Sequence, residues 1–470
     1  MNQQQARVLA ICCSSLFIVG LDITIVNVAL PTIGHDLHAG LSGLQWTVSA
    51  FTLVMATLLM FAGSTADRLG RKRVFVTGLA VFSLASLLCA LAPTVEVLVA
   101  ARVLQAVGGS MMNPVAMSIV TNTFTDPRER AQAIGIWGAV FGVSMALGPI
   151  VGGTLVSAVG WRSIFLINIP VGLAAIALTL RFIPESKAPA PRRFDPVGQA
   201  LMMVLLGAVT FGVIEGPGLG RTSPAIVAAF AASAAALLGL LTYEPRRAEA
   251  LVDLRFFRSI PFSASITLSV AAFAAFGGFL FLNTLYLQDV LGLSPLEAGL
   301  MTVPVALMIV IVSPISGRMV GRYGPRPSLV IAGVALLLAC VMLTGVGAGT
   351  SLAWLIASYV VFGLGFGAVN APITNAAVSG MPRAQAGVAA AIATTSRQFG
   401  QAIGVAITGA IVASHAGGSA DLTAASGPGW WTLAAFGAVV LGLGLVATSG
   451  RATASARRTA QTLNPEALAA

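Results

Sequence analysis

The sequence predicts an all-α integral membrane protein of 14 transmembrane helices, built as two six-helix pseudo-repeat bundles plus two inserted helices. Three observations lead to this fold class. Of the 470 residues, 57% are hydrophobic and only 9% are charged, and the mean hydropathy is +0.92. Apolar runs of about 20 residues, the length that crosses a bilayer, recur along the whole chain. A loop signature that begins at residue 63 returns at residue 317.

The apolar runs number fourteen and are rich in Ala, Leu, Val and Gly. They lack the ten-residue alternation of barrel strands, so they indicate helices. The first run is too long for the apolar region of a signal peptide and predicts a retained span. The sequence "SPLE" predicts a helix start with Ser294 as N-cap. The predicted spans are 8–30, 44–66, 74–93, 97–120, 132–156, 163–182, 197–216, 223–243, 262–286, 296–317, 328–348, 352–374, 388–412 and 429–449.

The Lys and Arg residues fall on alternate loops. Counted from the first span, 22 of the 26 lie on one side of the predicted membrane, and only Arg162 and Arg221 lie on the other. Arg102 and Arg397 fall inside spans. The positive-inside rule then places both termini in the cytoplasm and predicts an even number of spans. The net charge of +10 follows from this topology, so it does not indicate nucleic acid as a partner.

The repeated loop signature divides the chain. "GSTADRLGRKR" (63–73) and "GRMVGRYGPRP" (317–327) share Gly, Arg and Gly at one spacing, with an offset of 254 residues. Parallel repeats of this kind are typical of one large class of transporters. The predicted parts are an N-terminal six-helix bundle (1–183), linker regions with two extra helices (184–258), a C-terminal six-helix bundle (259–450) and a polar, disordered cytoplasmic tail (451–470).

A carboxylate, Asp22, interrupts the first span. An acid at the bilayer centre costs about 2.5–3.5 kcal/mol on insertion scales, so such acids usually serve a pathway. Arg102 is the one base deep in the N-terminal half, and Gln105 lies one turn further along. At about 1.5 Å per residue the three reach similar depths. The alternatives are a structural ion pair or a proton-coupling site, because burial favours the neutral acid and a nearby cation favours the ionised one. We expect coupling through Asp22 and Arg102.

The first loop signature predicts a gate. Glycines allow close helix packing and a tight turn, and the bases hold the loop at an anionic membrane surface. A topology anchor alone would explain the bases but not the acid among them, which can pair with an arginine or a helix end. The predicted gating residues are Gly63, Asp67, Arg68, Gly70 and Arg71.

The sequence "GPIVGG" (148–153) predicts a specialised packing helix. Pro149 removes one backbone hydrogen bond. We expect Gly148, Gly152 and Gly153 to clear one helix face for a neighbour. A kinked packing helix without further role is the alternative.

Several segments resemble one family. The loop at 63–73 is similar to the signature of the major facilitator superfamily. Five further segments resemble motifs of its fourteen-span drug:proton antiporters, in the same order and over nearly the whole chain. They are "LDITIVNVALP" (21–31), "RVLQAVG" (102–108), "GPIVGG" (148–153), "WRSIFLINIPVG" (161–172) and "SRQFGQAIG" (396–404). The resemblance implies multidrug efflux by proton antiport. Three positions depart from the family pattern: Ala106, Ser144 and Gly321, the last replacing the acid of the second loop copy.

Other sources of energy and chemistry are disfavoured. The only lysines, Lys72 and Lys187, lie in basic loops, and no phosphate-binding G-x-x-x-x-G-K-[ST] motif occurs. We therefore expect an ion gradient, with no cofactor. Hydrolase and metalloprotease motifs are absent, which disfavours an enzyme. Cys12, Cys13, Cys89 and Cys340 fall in spans, and no metal site is expected.

Polar and flexible side chains within spans predict a substrate cavity. Met-rich surfaces suit varied apolar ligands. Arg397 has no visible acidic partner in its half, so it either holds an anionic group or satisfies helix carbonyls, and the carbonyl interpretation is favoured. The candidate cavity residues are Asn27, Gln105, Met112, Asn113, Asn283, Gln288, Asn370 and Arg397.

Together these features predict a monomeric, proton-coupled antiporter of the bacterial inner membrane. Its partners would be a small amphipathic substrate, such as a drug, dye or antiseptic, the proton and the lipid bilayer. A dedicated exporter of one metabolite or self-made antibiotic is the first alternative. A membrane sensor with a transporter-like bundle is the second, and it is disfavoured because no extra soluble domain is expected from this sequence.

Overall fold

The computed structural model describes residues 3–187, 194–247, 251–379, 381, 383–415 and 422–463. This part of the chain is helical almost throughout and contains no β-strand. Its α-helices are α1 (Gln3–Asp36), α2 (Leu41–Leu69), α3 (Arg71–Ala90), α4 (Val95–Thr123), α5 (Pro127–Ala158), α6 (Ser163–Leu166), α7 (Asn168–Phe182), α8 (Pro196–Leu219), α9 (Pro224–Tyr243), α10 (Ile260–Leu285), α11 (Pro295–Met301), α12 (Val303–Tyr323), α13 (Pro325–Leu343), α14 (Leu352–Val378), α15 (Arg383–His415), α16 (Leu422–Ala447) and α17 (Gly450–Leu463). Short 3₁₀-helices lie at Glu244–Arg246 and Leu254–Arg258, and a short π-helix lies at Tyr286–Val290.

Thirteen helical segments of the described chain are long and apolar enough to cross a membrane. Each predicted run overlaps a helix; α6 and α7 form one segment, and α11 and α12 another. The helix α15 has 33 residues but is not among the thirteen, since Arg397, Gln398 and Gln401 lower its hydropathy. The all-helical membrane class is confirmed for the described residues, whereas the count of fourteen stays a prediction.

Local sequence explains where several helices begin. Asp126 accepts hydrogen bonds from the backbone N–H groups of Arg128 and Glu129, at 2.9 and 3.0 Å, and so caps α5. The predicted start at Ser294 is confirmed: its hydroxyl accepts from the Glu297 N–H, and the Glu297 carboxylate accepts from the Ser294 N–H. Such caps satisfy amide groups that have no partner within the helix.

The chain forms two compact units. Unit one comprises Met1–Gln199 and Leu287–Val303, and unit two comprises Ala200–Tyr286 and Pro304–Ala470. Unit one therefore includes α11, which the chain reaches after α10. The predicted parts, with boundaries at 183, 258 and 450, and the two-bundle pseudo-repeat stay predictions.

The core of unit two centres on α10, which is buried along most of its length. The ring of Phe279 stacks on Phe362 of α14, with centroids 4.1 Å apart, and Phe276 stacks on Phe366 at the same distance. The helices α14 and α15 both pack on α10. Stacked aromatic pairs add stabilisation beyond the area that they bury, so they fix the register of α10 against α14.

The expectation of a disordered tail is wrong for residues 451–463, which form most of α17. One face of α17 packs on α10 and on the turn at Leu254–Arg258. It consists of small side chains: Ala452, Ser455, Ala456 and Thr459. The Ser455 hydroxyl accepts a hydrogen bond of 3.0 Å from the Ile260 N–H at the start of α10. Residues 464–470 lie outside the described chain. The sequence analysis did not predict this helix because its packing face consists of small side chains, two of them polar, and not of large apolar ones.

Candidate functional site

The site is built around an ion pair between α1 and α4. The Arg102 Nη1 donates to the Asp22 Oδ2 over 2.5 Å. The Asp22 side chain is 0% exposed and that of Arg102 is 2% exposed. Removing two charges from water is costly, and a pair this deeply buried persists only when further polar groups complete it.

Three polar side chains complete the ion pair. The Gln105 amide donates to the Asp22 Oδ1 at 3.0 Å and accepts from Arg102 at 2.6 Å. The Asn168 amide, at the start of α7, donates to the same Asp22 oxygen at 3.4 Å. Both amides also reach the Ser86 hydroxyl on α3, at 2.9 and 3.3 Å. We call Asp22, Arg102, Gln105, Asn168 and Ser86 the buried polar network; it joins four helices of unit one.

The Arg102 guanidinium is held on its remaining sides. Its Nε donates to the backbone oxygen of Thr47 on α2 at 3.1 Å. The ring of Phe51 lies beside it, with 4.2 Å from Cζ to the ring centroid, and Phe165 lies at 5.9 Å. A guanidinium over an aromatic face gains cation–π attraction, which is stronger when water is excluded. These contacts hold the guanidinium in one place beside Asp22.

Sequence reasoning found part of this network and missed the rest. Asp22, Arg102 and Gln105 lie together as their depths suggested. Asn168 and Ser86 were missed because a single amide and a single hydroxyl in apolar runs give no signal of their own. Asn168 does fall within "WRSIFLINIPVG", where it is the only side-chain amide.

The candidate gating loop joins α2 to α3. Gly70 adopts φ +117°, a conformation that favours glycine. Arg71 donates to the Asp67 Oδ1 at 3.0 Å, so the acid pairs within its own motif. The sequence analysis expected close helix packing at Gly63, and the structure does not show it. A Cβ there would meet only Pro114, at an ordinary 3.9 Å. Arg68, the remaining residue of the motif, lies near the end of α2.

The candidate gating loop also contacts Glu185, which sequence reasoning did not select. The Glu185 carboxylate accepts from the backbone N–H groups of Lys72 and Arg73, at 3.0 and 3.3 Å. The Arg71 N–H donates to the backbone oxygen of Ser186 at 2.9 Å. A carboxylate at a helix N-terminus is stabilised by the amide dipoles. The segment after α7 therefore holds the start of α3. In the sequence, the only sign of this contact is the acid within "PES" (184–186), directly after the predicted span.

The "GPIVGG" glycines face two neighbours, not one. A Cβ at Gly148 would lie 1.9 Å from the Thr24 Oγ1, and one at Gly152 would lie 2.7 Å from the Ile25 Cγ1, so both positions pack against α1. A Cβ at Gly153 would instead lie 2.5 Å from the backbone oxygen of Pro295 on α11. The expectation of one cleared face is corrected, since consecutive helical residues point about 100° apart.

Pro149 leaves the Met145 carbonyl without its usual helical donor. The Thr24 hydroxyl donates to that oxygen over 3.3 Å from α1. The same hydroxyl lies 3.3 Å from the Leu21 oxygen of its own helix. The proline thus creates an acceptor that a neighbouring helix uses.

The candidate cavity residues of unit one occupy different environments. Met112 is fully buried in the apolar core. The Asn27 amide donates to the Ile23 oxygen at 3.0 Å, and Gln288 donates to the Val28 oxygen at 2.8 Å. The Oδ1 atoms of Asn27 and Asn113 are buried and have no partner among the described residues. Only Gln105 of this set belongs to the buried polar network.

The candidate residues of unit two are Asn283, Asn370 and Arg397. Asn283 accepts a hydrogen bond from the Tyr359 hydroxyl. The Asn370 backbone oxygen accepts from Thr374 at 3.0 Å. Arg397 donates to the Thr374 hydroxyl at 2.6 Å, so the expected contact with helix carbonyls is replaced by a side-chain contact in the described chain.

Metal ligands do not cluster in the described chain: no group of three His, Cys, Asp or Glu side chains there could hold an ion. The four cysteines are free thiols and buried. The site that the described residues form is thus a buried acid, Asp22, paired with the cation of Arg102 and completed by polar side chains.

The sequence profile of the Major Facilitator Superfamily matches residues 12–405. The chain belongs to the major facilitator superfamily.

Relatives of this superfamily member include efflux and resistance proteins. The multidrug resistance protein Stp of Mycobacterium tuberculosis is 36% identical over 414 residues, 88% of this chain and 77% of that protein. The tetracenomycin C resistance and export protein of Streptomyces glaucescens is 37% identical over 86% of this chain and 75% of its own. The multidrug efflux pump LfrA of Mycolicibacterium smegmatis is 34% identical over 89% and 83%. The predicted class, an efflux-type transporter, is confirmed by these relatives.

Solved transporter structures share the fold. A peptide transporter, POT, gives a TM-score of 0.68 at 17% identity, covering 98% of this chain and 96% of its own. The nucleoside transporter NupG gives 0.66 at 13% identity, covering 95% and 100%. At these identities the likeness concerns the superfamily fold alone. The fourteen-span subtype stays a prediction.

Proposed function

We propose that this protein is a proton-coupled antiporter that exports small amphipathic compounds, such as drugs, dyes and antiseptics, across the bacterial inner membrane. Its relationship to efflux pumps supports the export of such compounds. The buried polar network carries the proposal of proton coupling. It places one ionisable acid, Asp22, at 0% exposure beside a fixed cation.

Protonation of Asp22 would change the balance of this network. Breaking a buried ion pair by neutralising one partner is destabilising by about 3–5 kcal/mol, because the other charge is left uncompensated. Arg102 would then depend on the Gln105 oxygen and the Thr47 carbonyl, both already within hydrogen-bond distance. The network links α1, α3, α4 and α7, so a proton at Asp22 can bias how these helices pack. Such a two-state element is what coupling to a gradient requires.

The remaining residues take supporting roles in this proposal. The loop at Asp67 and Arg71 acts as the gate, with Glu185 fixing the start of α3. The "GPIVGG" segment packs α5 on both α1 and α11. The substrate would contact some of the candidate cavity residues, with the proton gradient as the only energy source and no cofactor. We further propose fourteen spans, cytoplasmic termini and a monomer.

A dedicated exporter of one compound is the second candidate function. Relatives named for single antibiotics favour it, including the methylenomycin A resistance protein of Streptomyces coelicolor, which is 36% identical over 84% of this chain. Breadth of substrate is the property that separates the two candidates.

A resistance profile in an efflux-deficient host tests both. The wild-type protein should raise the inhibitory concentrations of several unrelated amphipathic compounds, and a protonophore should abolish the effect. Resistance to one compound alone would favour the dedicated exporter. No resistance to any compound of a broad panel, with the protein present in the membrane, would contradict export.

A further inference from the structure

Arg397 on α15 is a cation without an acidic partner among the described residues of unit two. Its Nη2 donates to the Thr374 hydroxyl on α14 at 2.6 Å, and its Cζ lies 5.8 Å from the ring centroid of Phe273 on α10. The Nε is buried and has no partner among the described residues. No carboxylate of the described chain lies within ion-pair distance of this guanidinium. Arg102, by contrast, is neutralised by Asp22.

Sequence composition explains why no acid is near. The helices α10 and α12–α17 contain no Asp or Glu. From residue 304 to residue 463 the one acid is Asp421, which lies outside the described residues. An unpaired charge in an apolar bundle is strongly disfavoured, so a functional reason for keeping it is expected.

Close packing of α15 on α10 holds the Arg397 backbone in place. A Cβ at Gly400 would lie 2.5 Å from the Val270 oxygen, and one at Gly404 would lie 2.2 Å from the Ala274 oxygen. The two helices therefore touch along these glycines. Arg397 precedes Gly400 by one turn, and the Phe273 ring supports its guanidinium from α10.

A second unpaired donor lies one turn from Arg397. Gln401 follows Arg397 by four residues, which places both on one helix face. The Gln401 Nε2 is buried and, like the Arg397 Nε, has no acceptor among the described residues. Thr374, which holds the guanidinium, is exposed, so the group borders open space. The guanidinium thus has a buried donor without an acceptor, and the Gln401 amide beside it is a second. An anion would supply both the acceptors and the negative charge that this site lacks.

We propose that Arg397 binds the acidic group of amphipathic substrates, such as a carboxylate, a sulfonate or an ionised phenol. The inference deepens the proposed export function and rests on it. Charge-assisted hydrogen bonds to a guanidinium are the strong ones, and Arg presents several donors in a planar fork. Substrates with one acidic group would therefore be preferred over otherwise similar neutral compounds.

Two fluorescent probes separate charge from apolar binding. Anilinonaphthalene sulfonate carries one anionic group, and phenylnaphthylamine is its neutral counterpart. Both are titrated into the purified full-length protein in phosphatidylcholine nanodiscs. Arg397→Gln should weaken sulfonate binding about tenfold, the size of one charge-assisted contact, and should leave phenylnaphthylamine binding unchanged. Arg397→Lys should retain part of the sulfonate affinity, and Arg451→Gln on the exposed face of α17 should match the wild type.

The outcomes distinguish the proposal from its rivals. Unchanged sulfonate affinity in Arg397→Gln would overturn it, and so would loss of both probes in both Arg397 variants, which would make the residue structural. Displacement of the sulfonate by added phosphatidylglycerol would assign the guanidinium to a lipid headgroup and also overturn it. Failure of the wild type to transport phenylnaphthylamine under a pH gradient would instead contradict the export function. This transport measurement does not depend on the binding affinities of the two probes, so the two proposals can fail separately.

Discussion

The Thr24 hydroxyl on α1 donates a hydrogen bond to the backbone oxygen of Met145 on α5, over 3.3 Å. Pro149 leaves this oxygen without a donor from its own helix. Gly148 lies at the same contact, where a Cβ would approach the Thr24 Oγ1 to 1.9 Å. Proline, glycine and threonine thus form one packing unit between two helices.

This contact predicts a double-mutant result. Gly148→Ala should lower the free energy of unfolding by about 1–3 kcal/mol through overpacking. Thr24→Ala combined with Gly148→Ala should recover part of that loss, because the clashing hydroxyl is gone. Thermal unfolding can be followed with a thiol-reactive dye, since all four cysteines are free and buried. Gly142→Ala on the same helix is the control, as a Cβ there meets nothing within 4 Å. Equal losses at 142 and 148 would contradict the packing account.

If the candidate gating loop acts as a gate, as proposed, its variants should lose turnover and not substrate affinity. Asp67→Asn removes the charge that pairs with Arg71, and Glu185→Gln weakens the cap on α3. Each variant should slow export while the substrate affinity in binding assays stays near that of the wild type. Asp253→Asn is a matched control, because that acid pairs with Arg255 within a loop outside the gate. Normal turnover with lost affinity would place the loop in the binding route instead.

The distribution of bases predicts the membrane topology. Reporter fusions after Lys187 and after Arg258 should both report the cytoplasm, and one after Arg221 should report the outside. A fusion after His415 should also report the outside, which tests whether α15 crosses the membrane. A cytoplasmic signal there would leave thirteen spans and remove the even count.

The shortage of buried acid predicts a limit on substrate charge. Asp22 already pairs with Arg102, and the helices α10 and α12–α17 contain no acid. A monovalent dye should therefore be exported better than a bis-cationic diamidine from the same vesicles, because an uncompensated charge is disfavoured in the site. Equal export of the dication, lost in Glu215→Gln, would bring Glu215 of α8 into the site and refute the limit.

Sequence reasoning reached the helices and the central ion pair because both depend on simple quantities. Hydropathy identified the apolar runs. The rise per residue of an α-helix then placed Asp22 and Arg102 at similar depths in the membrane. It missed Asn168 and Ser86, since uncharged polar residues in apolar runs have no distinctive pattern. It assigned Gly153 to the wrong neighbour and missed Glu185, because partners distant in the sequence depend on tertiary packing. It also missed α17, whose packing face is formed by Ala, Ser and Thr.

The central claim is that Asp22 carries the coupled proton, and substrate-driven proton movement in proteoliposomes tests it most directly. Wild-type protein should transport substrate under an imposed pH gradient, and a pH-sensitive dye should report proton flux in the opposite direction. Asp22→Asn, which keeps the shape but not the charge, should lose both signals while still exchanging substrate across the membrane at equilibrium. Asp36→Asn is the matched control, since Asp36 also pairs with an arginine, Arg162, but is 47% exposed at its side chain; it should keep the coupling. Wild-type proton flux and gradient-driven transport in Asp22→Asn would contradict the account.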